Sequence, residues 1–153
     1  MANRSAMQNC PASRITTMKT VYICLCTDII HEGHLNIVNQ AHKYGSVIVG
    51  ALCDAALIRY NKFPTISLEE RIKLYEGLDH VDQVVVQHDI MYSDIIDRLH
   101  PDYVVHGDNW KQGPESAIRE NVLKLLSDYG GQLIEPAYTY NPEVKKIDRQ
   151  LKE

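Results

Sequence analysis

The chain has 153 residues and a mass of 17.5 kDa, a length that suits one domain with a core of its own. Apolar residues make up 44% and charged residues 24%, and the formal net charge of -4 argues against a general nucleic-acid or membrane-surface binder. No apolar run approaches the roughly 20 residues that a membrane span needs.

Residues 1–18 are polar and aperiodic, with Pro11 among Ser, Thr and Asn, and are expected to form a flexible arm ahead of a single domain over 19–153. Lys19 to Cys26 reads as a first strand. His31 or Gly33 to Tyr44 follows as a helix stopped by Gly45. Ser46 to Leu52 is apolar on both faces, as in a buried parallel strand. Asp54 is expected to cap a short helix, Ala55 to Tyr60, before a loop that carries Arg59 and Lys62. Ser67-Leu68-Glu69-Glu70 has capping-box spacing and opens a helix to about Glu76. Asp82 to Val86 is a third strand, and Ser93 to Leu99 a helix ended by Pro101. Tyr103 to Gly107 is a fourth strand, followed by the loop Asp108 to Pro114. Ser116 to Tyr129 is an amphipathic helix with Ile118, Val122, Leu125 and Leu126 inward, ended by Gly130-Gly131. Gln132 to Glu135 is a fifth strand, and Asn141-Pro142 opens a last helix, Glu143 to Leu151.

Strands alternating with helices predict an α/β, Rossmann-like fold: a doubly wound, parallel, five-stranded sheet flanked by helices. Such sheets bind ligands beyond the C-terminal strand ends, where the strand order reverses. That rule brings the turn after the first strand and the loop after the fourth to one crevice. Four cysteines are present, Cys10, Cys24, Cys26 and Cys53. Alternation puts Cys24 and Cys26 on one face, and they read as buried, reduced thiols of a cytoplasmic protein without a secretory segment.

The first turn, Thr27-Asp28-Ile29-Ile30-His31-Glu32-Gly33-His34, joins a buried strand to a helix N-terminus, an arrangement that attracts phosphate. Gly33 lets a ligand approach the backbone closely, between two histidines aimed at it. Their i, i+3 spacing departs from the i, i+4 pair of helical zinc motifs, and no metal ligand is assigned.

These residues resemble the signature of the HxGH nucleotidyltransferases, specifically the cytidylyltransferase-like family. Asp54 to Lys62 and Ser67 to Arg71 follow that family's substrate loop and next helix. Tyr103-Val104-Val105-His106-Gly107-Asp108-Asn109-Trp110 resembles its second landmark. Asp28 to Asn36 and Pro101 to Lys111 look most like the nucleotidyltransferase domains that accompany phosphoenolpyruvate mutases in phosphonate pathways, and the chain is also similar to glycerol-3-phosphate cytidylyltransferases. The resemblance implies transfer of CMP from CTP to a small phosphate or phosphonate, such as 2-aminoethylphosphonate or 2-hydroxyethylphosphonate, with pyrophosphate leaving on Mg²⁺.

It further implies catalytic roles for His31, His34 and Lys62. Nucleotide contacts fall on Cys26, Thr27, Gly33, His34, Asp108, Trp110 and Thr139, and backbone N–H groups at Cys26, Thr27 and Gly33 to His34 add fixed dipoles. Acceptor contacts fall on Arg59, Tyr92 and Asp28. A homodimer and association with a phosphoenolpyruvate mutase are implied as well, with neither nucleic acid nor membrane as partner. Simpler readings stand beside these: Trp110 as core, Asp108 as a turn cap, Lys62 and Arg71 as solvated cations. His106 lies within the second landmark, and the sequence does not decide whether it is a site residue; His42, His80, His88 and His100 read as surface residues. The family's third signature, R-T-x-G-I-S-T-T, is replaced here by Tyr138 to Lys146, which keeps Thr139 and introduces Glu143. That departure supports two other readings, a non-catalytic nucleotide-binding or scaffolding domain and an adenylyltransferase that uses ATP.

Overall fold

The computed structural model describes residues 18–27 and 29–137. Its elements in chain order are β1 (Thr20–Leu25), α1 (Glu32–His42), β2 (Ser46–Leu52), α2 (Asp54–Arg59), α3 (Leu68–Glu76), β3 (Gln83–Gln87), α4 (Ser93–Leu99), β4 (Tyr103–Val105), a 3-10 turn (Asp108–Trp110), α5 (Ser116–Ser127) and β5 (Gln132–Ile134). All strand pairs are parallel, in the order β3-β2-β1-β4-β5. The α/β, doubly wound, five-stranded architecture is therefore as the alternation of elements predicts. The helix expected over 143–151 lies outside the described residues.

Alternation along β1 divides the core into two layers. Val21, Ile23 and Leu25 face α1 and α3, packing with Val38, Ala41 and Tyr75. Tyr22 and Cys24 face the opposite layer, with Ile95, Ile96, Val122 and Leu126 of α4 and α5. Side chains alternate faces in a strand, so a central strand apolar at every position serves both layers. Gly50 is glycine for a local reason: a Cβ there would lie 1.7 Å from the Tyr22 hydroxyl. The cleared space lets that hydroxyl donate to Gln87 Oε1 at 2.5 Å, tying β1 to β3 across β2.

The pairing of β1 is unequal on its two sides. Six residue pairs join it to β2, whereas Val21–Tyr103 and Tyr22–Val104 are its pairs with β4. β4 ends at Val105, so the sheet splits beyond this point and a crevice opens where the strand order reverses. Both strands are shorter than the sequence reading, ending at Leu25 and Val105; Cys26, His106 and Gly107 line the opening, while the His106 N–H still donates to the Ile134 carbonyl of β5 at 3.1 Å.

Two expectations are corrected on the β2 side. Asp54 does not cap α2. Cys53 holds that position, and Asp54 is the helix's first residue, with its carboxylate turned to Arg71. Arg71 is not solvated but completely buried. Its Nη1 donates to the Leu52 carbonyl at 2.7 Å, its Nη2 pairs with Asp54, and its Nε has no partner among the described residues. Arg71 also bonds Tyr75, whose hydroxyl donates to the Thr27 carbonyl. A buried cation thus braces the turn that follows β1. The Ser67–Glu70 capping box that starts α3, read from spacing, is formed.

A buried guanidinium left without its counter-charge costs more than the pair's net contribution. Asp54→Ala is therefore expected to lower stability by about 3 kcal/mol. The double variant Asp54→Ala/Arg71→Met is expected to regain part of that loss, since it removes the stranded charge. Urea unfolding of wild type, single and double variants reads this directly, and a double variant no more stable than the single one contradicts the account.

Candidate functional site

The cleft at the split is lined by the end of β1, the N-terminus of α1, the loop after α2 and the loop after β4. Its floor is shaped by Thr27, whose Oγ1 accepts from the Ile29 N–H at 3.0 Å, an ordinary hydroxyl-stabilised turn. Ile30 packs on the core layer under α1, fixing where that helix begins.

His31 and His34 form a reciprocal capping box. The Gly33 N–H donates to His31 Nδ1 at 2.9 Å, and the His31 N–H donates to His34 Nδ1 at 3.2 Å. Two donors of the helix start are satisfied by imidazole lone pairs where Ser and Glu usually serve. The bonds also set the tautomer. Each ring accepts at Nδ1, so each neutral ring carries its proton on Nε2. The rings lie 4.2 Å apart at 52°. The Gly33 and His34 N–H groups both turn inward, the latter to the His31 carbonyl at 3.0 Å. The donors this corner keeps for a ligand are consequently the two Nε2–H groups.

His34 is held neutral. Burial above all, then the neighbouring His31 and Lys62, pushes its pKa down from 6.5 to about 4. Lys62 lines the same cleft, its backbone N–H donating to the Leu57 carbonyl at 2.9 Å to close the turn after α2. The cleft is therefore lined by a lysine and two imidazole donors.

Three further lining residues are ones that spacing does not tie together. Tyr60 closes the C-terminus of α2, and Glu115 occupies the N-cap position of α5. The Tyr60 hydroxyl bonds the Glu115 carboxylate, and burial and that carboxylate hold its pKa well above the ordinary tyrosine range. His106 lies beside them. Its Nδ1 is 2.7 Å from the Gly107 carbonyl and so carries the proton, which leaves a lone pair on Nε2. Burial holds its pKa below the ordinary value. His106 stacks on Trp110 at 3.6 Å and 4°.

A smaller, mostly apolar pocket adjoins the cleft, sharing Cys24, Cys26, Tyr60, His106 and Glu115 with it. Cys24 is half-buried rather than buried as expected, bonded to Tyr92, and desolvation holds its thiol pKa well above the ordinary value, which makes it a packing residue rather than a nucleophile. Cys24, Cys26 and Cys53 are free thiols.

The sequence-derived candidates divide accordingly. His31, Gly33, His34, Cys26, Thr27 and Lys62 come together around one cleft. Tyr92 and Trp110 wall the smaller pocket and are 4% and 1% exposed. Trp110 donates to Glu135 Oε2 at 2.7 Å, and Glu135 is gripped by Arg119 at 2.8 and 3.1 Å, so the core reading of this residue also holds. Asp108 is exposed and starts the 3-10 turn, with its N–H on the Pro136 carbonyl, while its neighbour Asn109 lines the cleft. Arg59 is exposed in the last turn of α2 and is not among the residues lining the cleft. Asp28 and Thr139 lie outside the described residues. His42, His80, His88 and His100 are exposed, as expected.

Comparison with known proteins places these features in a family. The cytidylyltransferase-like family profile matches residues 26–130. A bifunctional protein HldE from Desulfatibacillum aliphaticivorans is 31% identical over 112 residues, 71% of this chain and 22% of the relative. Ethanolamine-phosphate cytidylyltransferase of Arabidopsis thaliana is 31% identical over 96 residues, 58% of this chain and 23% of the relative. The chain thus spans less than a quarter of the length of these relatives. Among solved structures, a lipopolysaccharide core biosynthesis protein from Thermoplasma volcanium superposes with a TM-score of 0.65 at 20% identity, covering 82% of this chain and all of that one, which shows a shared fold.

Two predictions follow from the histidine corner. Asn keeps a capping acceptor while lacking the Nε2–H, so His31→Asn is expected to unfold near the wild-type urea midpoint, and His31→Ala about 1 kcal/mol below it. Because the folded pKa of His34 lies below the unfolded value, the unfolded chain binds more protons between pH 6.5 and about 4. Stability is then lost as pH falls through that window. The loss is expected to be smaller in His34→Asn, as read by thermal melts at pH 4.5 and 7.

Proposed function

Since the chain belongs to the cytidylyltransferase-like family, we propose that it transfers CMP from CTP to a small phosphate or phosphonate acceptor and releases pyrophosphate. The observation that carries this reading is the pair of Nε2–H donors, fixed by their own capping box, facing one cleft with Lys62 at the strand-order switch. Transfer of this kind needs little covalent help and much positioning and charge stabilisation.

In this reading an anionic oxygen of the acceptor attacks the α-phosphorus of CTP in line. The bond from that phosphorus to the bridging oxygen breaks, and pyrophosphate departs with the electron pair. His31 and His34 donate to α- and β-phosphate oxygens as charge moves onto them, and Lys62 offsets the added charge. Neutral His34 acts as a donor in this role, which its lowered pKa supports. A Mg²⁺ ion, which the resemblance implies, would be carried by the nucleotide's phosphates and offset their charge. Glu115 is the one carboxylate among the described residues that line the cleft, a donor set suited to a cation carried largely by phosphate oxygens.

The ethanolamine-phosphate cytidylyltransferases among the relatives support a phosphate acceptor. The phosphonate acceptors, a homodimer and docking on a phosphoenolpyruvate mutase rest on the resemblance at Asp28 to Asn36 and Pro101 to Lys111. A second reading, a nucleotide-binding domain without turnover, draws on the replacement of the third family signature by Tyr138 to Lys146.

Pyrophosphate release with Mg²⁺, crossing CTP and ATP against ethanolamine phosphate, phosphocholine, glycerol 3-phosphate, 2-aminoethylphosphonate and 2-hydroxyethylphosphonate, tests the proposal. Turnover is expected with CTP, reduced about 100-fold or more in His34→Asn with the fold retained. Turnover with ATP instead favours the adenylyltransferase reading. CTP binding by calorimetry without pyrophosphate from any acceptor favours the binding domain.

A further inference from the structure

Three of the chain's seven imidazoles have a ring nitrogen committed to the backbone. His31 and His34 each spend a lone pair on an N–H group at the start of α1, and His106 holds its proton against the Gly107 carbonyl. His42 and His80 differ. Their rings stack face to face, with centroids 4.0 Å apart and planes 20° from parallel. Both residues are exposed, and neither ring has a hydrogen-bond partner among the described residues.

The fold, not chain proximity, brings this pair together. His42 sits in the last turn of α1, and His80 in the loop between α3 and β3. His80 takes a left-handed backbone, φ 75°, which a residue with a Cβ adopts at some cost.

The surroundings favour a cation. The C-terminal end of a helix carries partial negative charge, and His42 lies there. In the chain, the exposed Asp79 and Asp82 stand on either side of His80, and the exposed Lys43 follows His42. Protonating both rings would set two like charges face to face, whereas one divalent ion gives two neutral rings a common partner. Zinc–imidazole bonds of about 2.0–2.1 Å put two ring nitrogens on a tetrahedral ion roughly 3.3 Å apart. Small side-chain rotations bring rings with centroids 4.0 Å apart to that span. Imidazole suits zinc, copper and nickel, while carboxylate and water suit magnesium. Among the described residues no group of three His, Cys, Asp or Glu is gathered to hold a metal, so water completes the ion's shell.

We propose that His42 and His80 form a two-imidazole site for a divalent transition-metal ion of the zinc or nickel class. The ion pins the end of α1 to the loop between α3 and β3. The 11 residues of α1 rise about 16 Å, so the site is separate from the histidine corner at the start of that helix and does not depend on the transfer reading.

Calorimetry on the full chain, stripped of metal and held in excess Mg²⁺, is expected to show Zn²⁺ binding. The ring resonances of His42 and His80 are expected to shift on Zn²⁺ addition while those of His88 and His100 hold. His42→Gln, and separately His80→Asn, which suits the left-handed backbone, are each expected to weaken binding by more than about tenfold, the least that loss of an outer-shell partner costs. His31→Asn is expected to leave it unchanged, because that ring's lone pair is already spent. Absence of Zn²⁺ binding overturns the proposal. Binding that survives both variants also overturns it, assigning the ion to the thiols or to the histidine corner. The wild-type ring resonances decide alone if a variant does not fold, and unshifted His42 and His80 signals then overturn the site.

Discussion

The functional end of this molecule depends on one reciprocal interaction, the capping box between His31 and His34. A helix start must satisfy its leading N–H groups, and any good acceptor serves. Imidazole adds something that Ser or Glu lacks. By accepting at one nitrogen it displays a donor at the other, so the cap converts two inward backbone N–H groups into two outward ring N–H groups. Helix initiation and the display of ring donors become one structural event. Protonation of either ring at Nδ1 would break a cap bond, which couples the charge state of the corner to the integrity of α1.

That corner is braced from behind. Tyr75 of α3 reaches the Thr27 carbonyl, and Arg71 of the same helix holds the Leu52 carbonyl and Asp54. The ends of β1 and β2 and the start of α2 thus refer to one buried side chain, and the residues that carry Lys62 and the histidines are positioned relative to each other through it. Arg71 is a costly choice for a core position, and a planar multi-donor group reaching three elements explains its presence better than stability does.

Much of this was legible in the sequence, for reasons that can be stated residue by residue. Strands apolar on both faces announce a parallel sheet, and the Ser67–Glu70 pair announced a helix start because its chemistry is local. The paired histidines were legible as neighbours on one strand-to-helix turn. Their role as each other's cap was not, since capping by imidazole lacks the usual residue types. Long-range partnerships left no local trace. Arg71 reads as a solvated helix residue until the Leu52 carbonyl and Asp54 are brought over it. Nothing in spacing joins Tyr60 to Glu115, which stand at the end of one helix and the start of another. Asp54 misled for a related reason: a short acidic residue before a helix suggests a local cap, and a buried cation outbid it.

Trp110 is the chain's single tryptophan; it lines the apolar pocket, stacks on the cleft residue His106 and bonds the Glu135 that Arg119 grips. It is shielded from water and stacked flat on His106. Indole emission responds to the polarity of its surroundings and is quenched by a neighbouring imidazolium. The protein therefore carries an intrinsic optical probe at the border of its own cleft, with no second indole to dilute the signal. Occupancy of the pocket and the charge on His106 both register in one emission band.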